Sequence, residues 1–476
     1  MRMKTKSQAQ FFGFVVVASR MKEYLFNSFG FSLAAVFFTL SCRAADAALP
    51  LPYFPEPVMV QLQTRNFNIE MIDRIYDLGF RGFRRGLYWD QIDKGDGTYD
   101  FSKWDKEFAH AHKKGMRIIG CLFGNNANYE NDPGVGGIQT EAGRKGFAKF
   151  AAAAAEHYKD YDIIWEVWTE PNVRTFWRKN TEAVGDVPPA KHNSEAFAEE
   201  YTSLVKEIAK EMLAKDPDAF IAVGSVSNFW KPSYEWTEMC FKKGILDCGV
   251  KGWSVHPYGV KLPEDSVEGY EITRDLLKRY GRPNLAVLNT ERGFSVAKHA
   301  GGGEVANEGW SGVSKELALQ VQAWHYVRQF MVDQMQGVAA TSWYEIDGDK
   351  FGLIPDRPAA TAAKVMANQL SGFKYVKRLP SDNPNDYVLL WESTGGDKKL
   401  VVWTAPPPKS APDQAQNRSI TIDGLSGNIS IIDLAGKASM VSGSPAVIEV
   451  TAAPLYVAVP GGAKLGEASV MTEKIR

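Results

Sequence analysis

The chain has 476 residues, 45% of them hydrophobic and 23% charged. That is enough apolar material for a large core and a second domain, and it excludes disorder as the main theme. A formal net charge of -1 at pH 7 offers no broad basic field of the kind that gathers around nucleic acid, and no nucleic-acid motif is present.

Residues 1–47 read as an export signal. Arg2, Lys4 and Lys6 precede the apolar run Phe11 to Ala18, and Lys22 precedes a second run, Phe31 to Leu40. The second run is too short to span a bilayer comfortably and leads into Ala45-Asp46-Ala47, a small-x-small cleavage pattern. Cleavage near Ala47 is expected, giving a secreted or periplasmic mature chain without a stable membrane span. The second run with Lys22 is a complete signal by itself, which makes Met21 an alternative start; lipid attachment at Cys42 is the minor alternative. Of the four cysteines, Cys240 and Cys248 bracket a short loop and are candidates for pairing in an oxidising compartment, while Cys121 reads as a buried thiol. No Cys/His spacing resembles a metal cage, and neither metal nor cofactor is expected.

Beyond Ala48, short apolar β-like runs alternate with helical periodicity, the pattern of parallel strands joined by helices. In chain order the predicted elements are strand Val58 to Leu62, helix Ile69 to Leu78, strand Gly82 to Leu87, and helix Phe101 to Lys114, stopped by Gly115. Strand Arg117 to Phe123, helix Ala142 to Tyr158, strand Ile163 to Trp168 and helix Ser194 to Ala214 follow. Then come strand Phe220 to Ser225, a helix near Tyr234 to Lys243, strand Gly252 to His256, helix Pro263 to Tyr280, strand Leu285 to Asn289, helix Ser314 to Met335 and strand Val338 to Trp343. Eight strands in this alternation predict an α/β fold, a (β/α)8 TIM barrel over 50–373, inside the size range of that fold when loops carry insertions. After Gly372 short strands and turn residues take over: Tyr387 to Trp391, Lys399 to Thr404, Ser419 to Ile422, Ser430 to Asp433, Ala446 to Val450 and Leu455 to Val459. These predict a β-sandwich domain over 374–465, with 466–476 as a tail.

Barrel enzymes carry their reactive groups where strands end on the C-terminal face. Glu170 follows the fourth predicted strand and Glu291 the seventh. Hydrolysing a glycosidic bond with retention needs a protonated carboxyl for the leaving oxygen and an ionised carboxylate for the anomeric carbon, about 5 Å apart, and two strand ends of one barrel supply such a pair.

The surroundings of both acids carry a resemblance. Trp165-Glu166-Val167-Trp168-Thr169-Glu170-Pro171-Asn172 resembles the Trp-Glu-x-Trp-Asn-Glu-Pro-Asn signature of clan A glycoside hydrolases, and Asn289-Thr290-Glu291-Arg292-Gly293 resembles their Thr-Glu-x-Gly element. The resemblance implies Glu170 as acid/base and Glu291 as nucleophile of a retaining hydrolase with a carbohydrate substrate. His256 and Tyr258, in Gly252-Trp253-Ser254-Val255-His256-Pro257-Tyr258, are similar to the sixth-strand His-x-Tyr element, where the His lines the sugar site and the Tyr steadies the nucleophile. Arg84 resembles the second-strand Arg that keeps the nucleophile ionised. Trp343 matches the aromatic floor under a sugar ring, and Trp89 with Asp100-Phe101 resembles a segment common in family thirty-nine. Bacterial exopolysaccharide hydrolases related to the β-xylosidases of that family come nearest.

One position departs from the pattern. Thr169 stands where the family has an Asn that contacts the sugar 2-hydroxyl, a contact that contributes several kcal/mol in the transition state. This leaves a second reading, a catalytically weak or inactive carbohydrate-binding relative in an exopolysaccharide system. Arg174, Arg178 and Arg292 near the presumed cleft suit an acidic polysaccharide, Trp177 is a candidate for an outer subsite, and Gly301-Gly302-Gly303 reads as a loop. Oligomeric state is left open by the sequence.

Overall fold

The computed structural model describes residues 49, 53–130, 136–177, 194–296, 314–348, 350–355, 357–411 and 413–470. The predicted export signal over residues 1–47, Arg178 and Gly301 to Gly303 lie outside the described residues.

Eight parallel strands close in sequence order into a barrel: β1 (Val58–Gln61), β2 (Gly82–Tyr88), β3 (Arg117–Phe123), β4 (Ile164–Val167), β5 (Phe220–Ser227), β6 (Gly252–His256), β7 (Ala286–Arg292) and β8 (Thr341–Trp343). The helical segments between and after them are α1 (Ile69–Asp77), α2 (Trp89–Ile92), α3 (Ser102–Lys113), α4 (Glu141–His157), α5 (Arg174–Trp177), α6 (Glu195–Lys215), α7 (Lys231–Lys242), α8 (Ser266–Arg279), α9 (Lys315–Met335) and α10 (Pro358–Leu370). Several helices start where the sequence puts a hydroxyl cap. The side chains of Thr140, Ser194 and Ser314 accept from the backbone N–H groups of Gly143, Phe197 and Leu317, satisfying donors that the first turn leaves unpaired. Buried on both faces, a barrel strand reads as a continuous apolar run. Charged residues within such a run, Arg84 on β2 and Glu166 on β4, therefore need a partner inside.

The C-terminal region is a sandwich of two antiparallel sheets. The larger has the order β14 (Ala438–Gly443), β13 (Gly427–Ile432), β16 (Leu455–Val459), β11 (Lys398–Thr404), β10 (Asp386–Ser393), β9 (Phe373–Arg378). The smaller has the order β15 (Val447–Val450), β12 (Arg418–Ile422), β17 (Ala468–Val470). The predicted tail is thus corrected, because Ala468–Val470 pairs with Ile420 to Ile422 and closes the small sheet.

Alternation along β10 and β11 divides two cores. Leu389, Trp391, Val401 and Trp403 join the barrel's core, while Val388, Leu390, Leu400 and Val402 pack between the sheets. A polar clasp reinforces the apolar contact. Glu264, in the segment after β6, accepts at Oε1 from Arg328 Nε of α9 and from Trp403 Nε1 of β11, both at 2.7 Å. The guanidinium of Arg328 is fully buried and also reaches Glu264 Oε2, so the sandwich is tied to the segment that leads from Tyr258 into α8.

The candidate pair Cys240 and Cys248 is not joined: both are free thiols, as is Cys121. Cys240 is buried near the Ala198 carbonyl, whereas the Cys248 thiol turns back to the Ile245 carbonyl of its own loop at 3.1 Å. Among the described residues no helix is long and apolar enough to cross a membrane.

Candidate active site

At the end of β4 the chain leaves extended geometry abruptly. Trp168 has φ 68° and Glu170 has φ 47°, left-handed values that cost a non-glycine residue about 1–3 kcal/mol each. Two backbone hydrogen bonds to neighbouring strands hold the turn: Trp168 N–H donates to Leu122 O at 2.9 Å and Glu170 N–H to Ser225 O at 3.1 Å. The turn brings the Glu170 carboxyl to His256 of β6, whose Nδ1 lies 3.0 Å from Oε1.

Glu291 arrives from β7. Its neighbour Gly293 explains the last residue of the Thr-Glu-x-Gly element, since a Cβ there would lie 1.9 Å from the Tyr344 carbonyl oxygen. Only glycine permits that approach, which brings the end of β8 against β7; Tyr344 N–H donates to Arg292 O at 2.9 Å. Burial, reinforced by Glu291 and Glu345, pushes the Tyr344 phenol up to about 12.

Arg84 on β2 is the hub. Nε donates to Glu166 Oε2 at 2.6 Å, Nη1 to Gln61 Oε1 at 2.7 Å and to Glu291 Oε2 at 3.0 Å, and Nη2 to Thr169 Oγ1 at 3.2 Å. The Tyr258 hydroxyl lies 3.5 Å from the other Glu291 oxygen. Glu166 is fully buried and also accepts from Ser225 Oγ at 2.5 Å and Ser254 Oγ at 3.2 Å. Burial alone would raise its carboxyl, but the Arg84 charge, with His256 and Ser225, holds it well below the usual carboxylate range. Burial likewise pushes Glu291 up; His256 and Arg84 oppose that push, and Glu170 and Glu166 reinforce it.

His256 joins the two halves. Nδ1 is 3.0 Å from Glu170 Oε1 and Nε2 is 3.1 Å from Thr290 Oγ1. One carboxylate oxygen from each of Glu170 and Glu291 and one nitrogen of His256 all lie within 4.8 Å of one another. Such a trio has the donors for a metal, yet both imidazole nitrogens are already engaged, so the arrangement fits a carboxyl pair bridged by a ring better than a cation cage. Burial disfavours the imidazolium, but Glu291, Glu166 and Glu170 around it more than offset that and carry its pKa from 6.5 to about 9. The ring is therefore expected to keep its proton through neutral pH. Its contribution to stability is complete below the ordinary 6.5 and is lost as pH rises through about 9. Titration of the ring by nitrogen NMR checks this, and a neutral ring at pH 7 would contradict it.

Of the predicted site residues, the structure brings Arg84, Thr169, Glu170, His256, Tyr258 and Glu291 together. Trp89 and Trp343 stand apart. Trp89 is fully buried, stacked on Tyr129 at 5.0 Å with its indole N–H given to Asp93. Trp343 is buried outside the strand ring against Tyr326 of α9 at 5.2 Å, because alternation along β8 sends Thr341 and Trp343 to the helix layer. The aromatic beside Glu291 is the next residue, Tyr344. Trp177 is also core, wedged against Trp168 and Tyr201. Arg292 is buried with its guanidinium 5.1 Å from the Tyr258 ring centre, and Arg174 is half-buried on α5. Sequence reasoning missed Glu166, Gln61 and Ser225 as partners of the site; a charge inside a fully apolar strand was the available signal for Glu166.

No family model matches the chain, and no curated protein matches it. Solved structures do. A family 39 glycoside hydrolase from the gut symbiont Bacteroides cellulosilyticus superposes with a TM-score of 0.65 at 18% identity, over 85% of this chain and 81% of that one. A family 30 endoxylanase from Clostridium papyrosolvens gives 0.59 at 14% identity, over 87% of this chain and 98% of that one. A monomeric β-xylosidase from Caulobacter crescentus gives 0.56 at 15% identity, over 87% and 98%. The barrel with its β-sandwich is the fold of these hydrolases.

Proposed function

We propose that the chain is a retaining glycoside hydrolase acting on a polysaccharide or oligosaccharide. The observation that carries this is the approach of the Glu170 and Glu291 carboxyl oxygens to within 4.8 Å, the separation at which the second carboxylate attacks directly and leaves no room for a water between (roughly 5 Å). Charge distribution supports separate roles. Glu291 faces both the Arg84 guanidinium and the Tyr258 hydroxyl, and the Arg84 charge opposes the upward push that burial gives its carboxyl. Glu170 meets His256 through Oε1, and in this reading Oε2 is the oxygen that exchanges a proton with the leaving group.

In the first step the Glu291 carboxylate attacks the anomeric carbon, the glycosidic C–O bond breaks, and the departing oxygen takes the Glu170 proton. In the second, Glu170 takes a proton from water, the water oxygen attacks the same carbon, and Glu291 leaves. The net change is addition of one water across the bond. Thr169 serves here by accepting from Arg84, so it helps fix the guanidinium that holds the nucleophile.

Bacterial exopolysaccharide is the first substrate class to try, with xylan, on which the neighbouring structures' names centre, as the second. Export of the chain by its N-terminal signal belongs to the same proposal. The test is covalent trapping. 2-Deoxy-2-fluoro glycosides with a dinitrophenol leaving group, offered in several sugar configurations, are expected to add one glycosyl mass at Glu291, located by peptide mass spectrometry. Labelling elsewhere, or hydrolysis with inverted products, overturns the reading.

A further inference from the structure

We propose that the indole of Trp230 is a stacking platform for the sugar on the leaving-group side of the cleaved bond; this rests on the hydrolase reading above. Among the described residues the large hydrophobic side chains left exposed are Phe176, Trp230, Val376 and Met440. Phe176 stands on α5 in the connection after β4 and Trp230 on the loop after β5, at the barrel end that carries the carboxyl pair. Trp230 is 46% exposed, an apolar area kept in water at the rim of a polar site.

Its direction follows from the backbone. Trp230 is extended, φ -144° and ψ 163°, and in extended chain neighbouring side chains leave on opposite sides. The preceding Phe229 packs down on α8, with its ring 5.0 Å from that of Tyr270 and against Gly269. The Trp230 side chain therefore leaves the loop on the side away from α8.

The Trp230 loop is tied to the acid-bearing loop by Asn172, which is fully buried two positions after Glu170. Asn172 Oδ1 accepts from Ser227 N–H at 2.9 Å, and its Nδ2 donates to Ser227 O at 3.1 Å and to Ser233 Oγ at 3.3 Å. Ser227 and Ser233 flank Trp230 on either side, so one amide staples the acid-bearing loop to the Trp230 loop. The sugar whose oxygen Glu170 protonates departs along this side, whereas Arg84, Tyr258 and Tyr344 surround Glu291 and the sugar retained on it. A pyranose presents a face of C–H groups, and the broad indole desolvates that face while hydroxyls at the ring edge stay wet. The occupant is thus a sugar ring of a chain, and the inferred substrate is an oligomer or polymer with a sugar in the leaving group.

The experiment compares the full-length chain with Trp230→Ala and Trp230→Phe on xylohexaose, mannohexaose and cellohexaose and on the matching glycosyl fluorides, whose leaving group has no sugar. On the hexasaccharide that wild type cleaves, Trp230→Ala is expected to lower kcat/KM roughly tenfold, with Trp230→Phe retaining most of the activity. Both variants are expected to hydrolyse the fluoride at the wild-type rate. An unchanged hexasaccharide rate, an equal fall on both substrates, or wild type cleaving a fluoride and no hexasaccharide overturns the platform. If wild type turns over none of the fluorides or hexasaccharides, the hydrolase reading itself fails, and the platform with it.

Discussion

Glu291→Gln is expected to lower turnover by on the order of 10⁴-fold or more on every substrate, because the amide neither attacks the anomeric carbon nor offsets the charge that develops there. Glu170→Gln is expected to behave differently. With a sugar leaving group it loses about 10²- to 10⁴-fold, the usual worth of a positioned proton donor, but formation of the glycosyl-enzyme from a fluoride or dinitrophenyl glycoside stays near normal, since those groups leave without a proton. The covalent species then accumulates, because water attack has lost its base. Azide, a small nucleophile that needs no base, is expected to speed release from Glu170→Gln with retained configuration. With Glu291→Gly it is expected to give the inverted product by filling the vacated space. Pre-steady-state bursts and product stereochemistry read these outcomes. A burst in Glu291→Gln, or equal losses on both leaving groups in Glu170→Gln, would exchange or abolish the two roles.

That pair was picked out by resemblance: each acid ends a predicted strand, and the residues around it resemble the Trp-Glu-x-Trp-Asn-Glu-Pro-Asn and Thr-Glu-x-Gly elements of clan A hydrolases. The eight strands were legible by themselves, as apolar runs bounded by turns. What was not legible depends on direction. Trp343 and Tyr344 are neighbours with the same aromatic character, and which faces the site follows from a register set by β7 and by the missing Cβ at Gly293. The left-handed turn at Trp168 and Glu170 leaves no mark on composition, since neither residue is one that prefers such geometry.

The omitted elements have their own causes. Pro358–Leu370 forms the helix after β8, and its buried side at Ala359, Ala362, Ala363, Met366, Ala367 and Leu370 is built mostly of alanine, which marks an apolar face only weakly. Ala438–Gly443 is an edge strand with mostly exposed side chains, recognised through its pairing with Gly427 to Ile432 rather than through alternation. Ala468–Val470 is three residues long and becomes a strand only because β12 offers it an edge. Free thiols at Cys240 and Cys248 show the same limit: closeness in sequence brought both to one helix-loop segment, but Cys240 is directed into the packing of α7 on α6 and Cys248 back onto its own turn.

Arg84→Met is expected to damage stability and chemistry together, and the two effects separate by pH. In the native chain Glu166 is buried with its carboxyl held well below the usual range, first against burial and chiefly by the Arg84 charge. A depressed carboxylate contributes stability that is present above its unfolded value, near 4.5, and is lost as pH falls through the lower folded value. Without Arg84 the largest part of that contribution is lost, with only His256 and the serine hydroxyls left to Glu166, and breaking a buried pair in this way costs up to about 3–5 kcal/mol at neutral pH. Denaturant midpoints should therefore show the variant weakest at neutral pH and closer to wild type in acid, where Glu166 takes a proton. Glu291 loses the same cation, so its carboxyl rises further and the acid limb of kcat/KM moves to higher pH. Lysine is not a substitute. Arg84 sends Nε to Glu166, Nη1 to Gln61 and Glu291 and Nη2 to Thr169, and a single ammonium on a flexible stem cannot meet those directions together. Adding Glu166→Gln to Arg84→Met should recover part of the lost stability by removing the stranded charge while leaving the acid limb displaced. If that double variant instead regained the wild-type pH profile, Arg84 would be acting on Glu291 only through the fold, and direct stabilisation of the nucleophile would have to be given up.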